Sequence, residues 1–169
     1  MVGVTDRLGV DIGGVIIQPT DDDDDTSFFG DNYLRTPPIP GAFDGLAELG
    51  KVFDDRIHIV SKCGERTRRR TVEWLLHHDF HRRTDIPPER IHFCLTRPEK
   101  APIAAELGLT HFVDDKLEVL SYLQTVAHRV LFRPEEREIA AYAGHLPHVR
   151  RVESWPELVV AVTDRGATR

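Results

Sequence analysis

Short apolar runs alternate with helical periods along almost the whole chain, and this alternation is what most limits the fold. Runs at 8–17, 56–60, 91–94, 111–113, 128–132 and 149–152 read as strands. Between them, Ala42, Leu46, Leu49 and Phe53 recur at steps of four, three and four, which predicts a helix from Ala42. Further helices are expected over 65–79, with Val72, Leu75 and Leu76 facing inward, and over 99–107, closed by Gly108. Leu117, Leu120 and Leu123 mark another, and 135–143 should form one that stops at Gly144. Ser154-Trp-Pro-Glu157 has a capping-box pattern with proline in the first turn and opens the last helix. Strands alternating with helices at this spacing predict an α/β protein, a doubly wound, mainly parallel Rossmann-like sheet with helices on both faces.

One stretch interrupts the alternation. Residues 18–41 run through Gln-Pro-Thr, five consecutive aspartates from Asp21 to Asp25, the aromatics Phe28, Phe29 and Tyr33, and a stop at Pro37-Pro38-Ile39-Pro40-Gly41. A connection of this length without periodicity is disordered or functional. We expect a single domain over 1–169, long enough to bury a real core, with 18–41 as a flap-like insert anchored by its aromatics.

The first strand holds the most unusual residue. Asp11 sits within Leu-Gly-Val-Asp-Ile-Gly-Gly-Val-Ile-Ile, and a carboxylate in a β-branched run is costly unless it stands at the strand's end, where a cation or donors can meet it. Gly13 and Gly14 then free the backbone to approach a ligand. Doubly wound sheets bind ligands beyond the carboxyl ends of their strands. The polar residues just after the apolar runs are Asp11, Ser61 and the pair Asp114-Asp115, and Lys100 opens the helix after the third strand. A carboxylate nucleophile, a hydroxyl, an ammonium and a carboxylate pair therefore converge on one edge.

This set, in this order, resembles the haloacid dehalogenase-like (HAD) superfamily. Its four motifs match Asp11-Ile-Gly-Gly-Val, Ile59-Val60-Ser61, Lys100 and Phe112-Val113-Asp114-Asp115. The resemblance implies a magnesium-dependent phosphohydrolase, a phosphomonoesterase whose range extends to nucleotidase-like substrates, that forms an aspartyl-phosphate on Asp11. It implies a Mg2+ site made by Asp11, the Gly13 carbonyl and the Asp114-Asp115 pair, with Asp115 as direct ligand and Asp114 behind it. Ser61 and the N–H groups of Ile12 and Gly13 would bind the phosphoryl oxygens, and Lys100 would hold Asp11 and offset charge.

The sequence departs from the superfamily pattern at one point. Most of its phosphatases carry a second aspartate two positions after the nucleophile, as acid and then base, and here that position is Gly13. General acid–base help is worth about 10²–10⁴-fold. A slow enzyme, one limited to good leaving groups, one using another acid, or a binding or regulatory module that keeps the metal and phosphate site are the resulting expectations. Phosphonate hydrolysis and dehalogenation are disfavoured, the first because no cap domain fits in the chain. An open site of this kind suits a small phosphorylated molecule or an exposed phosphate on a larger one.

Other features have plainer explanations. The formal net charge of −6 argues against binding nucleic acid by bulk electrostatics, so nucleic acid is expected only as a phosphate-bearing substrate. Asp21 to Asp25 read as a solvated loop, and Arg66, Arg68, Arg69, Arg70, Arg82 and Arg83 as a solvated helix face. His77 and His81 lie one turn apart but lack a third ligand at matching spacing. Cys63 is expected to be a small buried or semi-buried residue beside the site, with Lys62 near it. Two cysteines without Cys-x-x-Cys spacing, no leader-like N-terminus and no apolar run near 20 residues lead us to expect a cytoplasmic protein and no membrane partner.

Overall fold

The computed structural model describes residues 3, 5–19, 28 and 30–164. Six strands, β1 (Leu8–Val10), β2 (Ile57–Lys62), β3 (Ile91–Cys94), β4 (His111–Asp114), β5 (His128–Phe132) and β6 (Arg150–Val152), form one sheet in the order β3-β2-β1-β4-β5-β6. Every pairing is parallel, as the strand–helix alternation predicts. The helices are α1 (Ala42–Val52), α2 (Glu65–His77), α3 (Phe80–Thr84), α4 (Lys100–Leu107), α5 (Leu117–Tyr122), α6 (Glu136–Ala141) and α7 (Trp155–Thr163).

Strand residues alternate between two cores, one on each face of the sheet. Leu8, Val10, Ile57, Ile59, Val113 and Val130 pack with α1, α2, α3 and α7, whereas Val60, Phe112 and Leu131 pack with α4, α5 and Ile139 of α6. Gly9 makes room on the second face, since a Cβ there would lie 2.5 Å from Phe112 Cδ2 and 2.6 Å from Leu109 Cδ1. On the first face Trp155 is buried at the start of α7 and donates from Nε1 to the Val15 carbonyl at 2.8 Å. Among the described residues no helix is long and apolar enough to cross a membrane.

Three expectations change. The run 8–17 is not one strand: β1 ends at Val10, and residues 12–17 fold into a compact turn. The N–H groups of Ile16 and Ile17 both donate to the Ile12 carbonyl, at 2.8 and 3.0 Å, and Gly14 reverses the chain at φ 76°. Ile17 then pairs with Pro38, so the 18–41 segment leaves and re-enters at one place. Second, α2 is rotated from the expected face. Thr71, Trp74 and Leu75 are buried while Val72 and Leu76 face solvent, because the large Trp74 ring takes the core position and its Nε1 bonds the Thr36 carbonyl at 2.8 Å. Third, α6 ends at Ala141, and a 3-10 turn over Ala143–His148 passes through Gly144 instead of stopping there.

The last helix keeps its cap. Glu157 N–H donates to Ser154 Oγ at 3.3 Å, but the returning Glu157 carboxylate takes the N–H of Glu153, one residue earlier than a capping box requires.

Candidate active site

The chain steps outward from β1 through β2 to β3, then returns to the other side of β1 with β4. The ends of β1 and β4 therefore border the point where the winding reverses, the position at which such sheets form a crevice. Val10 pairs with Val113, and the Asp11 N–H donates to the Val113 carbonyl at 3.0 Å, so Asp11 and Asp114 leave adjacent strands side by side. Lys100, the first residue of α4, crosses beneath them. Its Nζ donates to Asp11 Oδ1 and to Asp114 Oδ2, both at 2.8 Å. The ammonium is only 2% exposed, so almost all of its electrostatic work is directed at these two carboxylates.

Asp114 is fully buried, and its second oxygen accepts the Lys116 N–H at 3.0 Å. Asp115 is more open, with Lys116 Nζ 3.8 Å from its Oδ2. One carboxylate oxygen from each of Asp11, Asp114 and Asp115 lies within 4.8 Å of the others. Packing three carboxyls this closely has an electrostatic cost. Burial, then the Asp114 charge, hold the Asp11 carboxyl above the ordinary range despite the lowering by Lys100. Burial, then the charges of Asp114 and Asp11, push Asp115 up as well. For Lys100 burial works against the charged form, but Asp11 and Asp114 outweigh it and hold the ammonium protonated. One buried cation does not neutralise three carboxylates, and an all-oxygen cluster with this deficit suits a hard divalent cation such as Mg2+.

The remaining expected residues come to the same place. Ser61 is buried near the end of β2. The Ile12 backbone, next in the chain, favours the ionised form of the Asp11 carboxyl. Gly13 and Gly14 play different parts. A Cβ at Gly14 would sit 2.5 Å from Asp115 Oδ2, on a backbone at φ 76°, so only glycine lets the turn pass so close to the acid. A Cβ at Gly13 would meet nothing within 4 Å. These residues open onto a cavity of about 360 Å3 whose walls also include Lys62, Thr67, Arg97, Lys116 and Glu135.

Asp11, Ile12, Gly13, Ser61, Lys100, Asp114 and Asp115 all line this cavity. Cys63 and Lys62 line it too, as their closeness to Ser61 suggests. Asp21 to Asp25 and Phe29 lie outside the described residues. The flap is anchored where it is described: Phe28 stacks edge-on against Tyr33, Tyr33 hydroxyl bonds Glu73, and Arg70 donates to the carbonyls of Phe28 and Gly30 at 3.2 and 3.0 Å.

The arginine group is exposed as expected, except for the half-buried Arg70, and several members have partners on the protein. Arg68 covers the Phe93 ring, Arg83 the Phe43 ring, and Arg82 pairs with Asp79. His77 and His81 do not share one helix, because Asp79 at φ 59° turns the chain between α2 and α3; His81 Nδ1 lies 2.7 Å from the Ile86 carbonyl oxygen. Sequence reasoning missed Arg97, though its setting is visible in retrospect: Thr96 and Glu99 form a capping box around a 3-10 turn, with Glu99 accepting the N–H groups of Leu95 and Thr96 at 2.9 and 2.7 Å.

The fold and this edge define a doubly wound α/β protein with a carboxylate–lysine centre at its switch point. No protein-family model matches the sequence, and no curated protein matches it. Solved structures share its fold, two of them as follows. One is a haloacid dehalogenase-like hydrolase from Burkholderia xenovorans LB400, at TM-score 0.52 and 20% identity over 72% of this chain. This chain spans 56% of that protein's length. The other is the cobalt-bound deoxy-D-mannose-octulosonate 8-phosphate phosphatase of Haemophilus influenzae, at TM-score 0.51 and 12% identity over 94% of this chain and 88% of that one. The protein has the HAD-like core fold.

Proposed function

We propose that the protein is a magnesium-dependent phosphohydrolase that works through an aspartyl-phosphate on Asp11. The observation that carries this reading is the Lys100 ammonium, held 2.8 Å from both Asp11 and Asp114 at the sheet's switch point, with Asp115 completing an acidic triad. Fold likeness to a hydrolase and to a cobalt-bound phosphatase supports it. Asp11, Asp115 and the Gly13 carbonyl would hold the cation, with Asp114 behind them. When bound, Mg2+ supplies neutralisation of the phosphoryl charge that otherwise repels a carboxylate nucleophile.

The chain's own groups do the rest. The Lys100 ammonium fixes Asp11 through Oδ1 and keeps it ionised against its acidic neighbours, so that an Asp11 oxygen is available to attack phosphorus. Ser61 donates its hydroxyl, and Gly13 its N–H, to equatorial phosphoryl oxygens, where charge accumulates as the leaving group departs. Water then attacks the phosphorus of the aspartyl-phosphate and regenerates Asp11. The substrate is a small phosphorylated molecule or an exposed phosphate on a larger one, and two free cysteines support a reducing compartment such as the cytoplasm.

Purified protein with magnesium should release phosphate from p-nitrophenyl phosphate, and Asp11→Asn should abolish the release and the covalent phosphoryl adduct. No Asp11-dependent turnover across a broad panel of phosphorylated compounds would overturn the reading. Gly13 supports a second reading, a binding or regulatory module that keeps the cation and phosphate site without efficient turnover. Because a Cβ at Gly13 enters open space, Gly13→Asp separates the two: a module tuned away from catalysis gains hydrolysis from a silent start.

A further inference from the structure

Arg97 lines the cavity, and two separate constraints fix where its guanidinium lies. The first acts on the backbone. Arg97 opens a 3-10 turn over Arg97–Glu99, between β3 and α4, that is held by the reciprocal bonds of Thr96 and Glu99 and stiffened by Pro98. The second acts on the side chain. Nη1 pairs with Glu118 Oε2 on α5, while Glu118 Oε1 accepts the hydroxyls of Tyr142 and Tyr122 at 2.9 and 3.3 Å. Both oxygens of the Glu118 carboxylate are therefore engaged, and it serves as a fixed anchor. The Glu118 bond, then the charges of Glu118, Glu138 and Asp114, raise the Arg97 pKa against burial, so the guanidinium is within electrostatic reach of the acidic centre.

The pairing leaves the rest of the guanidinium open. An arginine engaged with a carboxylate frequently uses two parallel N–H bonds. Here one nitrogen holds Glu118, and Nε and Nη2 have no hydrogen-bond partner among the described residues. The side chain keeps 40% of its surface exposed. The Nε–Nη2 edge is a planar two-donor fork, the shape that matches a carboxylate or a phosphate. Because the group is anchored before any ligand arrives, it loses little freedom on binding one. Lys116 lines the same cavity and adds positive charge beside the acid pair, with Nζ 3.8 Å from Asp115 Oδ2.

Resting on the phosphohydrolase reading above, we infer that Arg97 selects substrates that carry a second anionic group, a carboxylate or a second phosphate, beside the phosphate that is transferred. The Nε–Nη2 edge donates two hydrogen bonds to that second group while the transferred phosphate occupies the acidic centre. Glu118 and Tyr142 are positioning residues, which act on the substrate only by holding the guanidinium.

The test compares kcat/KM, with magnesium, within pairs of phosphate monoesters whose leaving groups are alike and whose remainders differ in charge. The pairs are 3-phosphoglycerate against glycerol 3-phosphate and fructose 1,6-bisphosphate against fructose 6-phosphate, with phosphoethanolamine as a cationic remainder. Wild type should favour the doubly anionic member of at least one pair by about 10–100-fold, the worth of one charged hydrogen-bonded pair, and phosphoethanolamine should be the poorest substrate. A gain in the first pair alone assigns a carboxylate, a gain in the second alone a phosphate, and a gain in both a subsite that takes either. Arg97→Ala should bring the ratio near unity, Arg97→Lys should restore part of it, and Glu118→Gln and Tyr142→Phe should lower it chiefly through KM. A bridge that only ties the turn to α5 would lower Tm and slow every substrate alike, with the ratio kept. That result, or equal kcat/KM within both pairs, overturns the inference, and the second comparison needs only wild type. If nothing is turned over, or Asp11→Asn retains activity, the phosphohydrolase reading fails. The same pairs are then compared as Kd by calorimetry on wild type and Arg97→Ala: a preference for the doubly anionic member that the variant loses upholds the subsite, and no preference overturns it.

Discussion

Replacing Lys100 by methionine is the most demanding test of the electrostatics at the centre. Methionine keeps the length and the apolar stem while removing a buried ammonium that donates at 2.8 Å to both Asp11 and Asp114. The two acids are then left buried without their cation. Breaking a buried ion pair from one side costs about 3–5 kcal/mol, against the near-neutral result of replacing both sides. For a domain of this size each kcal/mol moves Tm by about 2–4 °C, so Lys100→Met should lower Tm by about 6–20 °C when measured in chelator. Lys100→Met with Asp114→Asn should recover part of the loss, since the amide keeps the shape of Asp114 and removes one of the stranded charges. The sign with pH is also set. Without Lys100 the Asp11 carboxyl loses a lowering influence, so in the folded variant it titrates higher still above its unfolded value. A carboxyl raised on folding binds more protons folded than unfolded, so the variant's stability grows as pH falls. The penalty should therefore narrow between about pH 8 and about pH 5. Urea unfolding of the four combinations over that range decides it. A penalty under about 1 kcal/mol, or one that Asp114→Asn fails to relieve, refutes the assignment of Lys100 as the neutralising group.

The adjacent glycines should respond oppositely to alanine. Gly14→Ala places a Cβ at 2.5 Å from Asp115 Oδ2 on a backbone at φ 76°, for an expected cost of about 1–3 kcal/mol, whereas Gly13→Ala enters open space and should stay within about 0.5 kcal/mol, both read from urea midpoints. On the far side of β2, His58 Nδ1 lies 3.0 Å from His92 Nε2, and burial, then the charges of His92 and Arg90, lower the His58 pKa to about 4 from 6.5. A histidine depressed on folding is protonated first in the unfolded chain, so its contribution is intact above pH 6.5 and is lost as pH falls toward 4. Unfolding midpoints should decline across that window, and His58→Gln should flatten the decline; an equal slope in the variant would refute the attribution.

The parts of the fold legible in the sequence are those set by local period. Strands at 91–94 and 128–132 and the Gly108 stop of α4 fall where apolar alternation and a left-handed glycine put them. Errors arose where a distant partner decided. Nothing between residues 65 and 79 states that Trp74 will bond the Thr36 carbonyl, yet that contact turns α2 and sends Val72 and Leu76 to solvent. Likewise the run 8–17 has strand composition throughout, and only the return of residues 37–39 to pair with 16–18 explains why the backbone turns at Ile12.

The site divides along the same line. Its charged members were legible because buried charge at strand ends has few uses, and parallel topology brings strand ends together whatever lies between. Arg97 was hidden because its role depends on Glu118 and Tyr142, more than 20 residues away, orienting a side chain that in sequence looks like any surface arginine. The two glycines show how unequal the information is within one dipeptide. Gly14 is demanded by the fold, since Asp115 occupies the space of its missing side chain. Gly13 is demanded by nothing in the fold: its φ is not positive and the space beyond it is empty. A residue that structure leaves free, beside a centre whose other members are so tightly held, is where the chemistry of the substrate rather than the stability of the chain sets the choice.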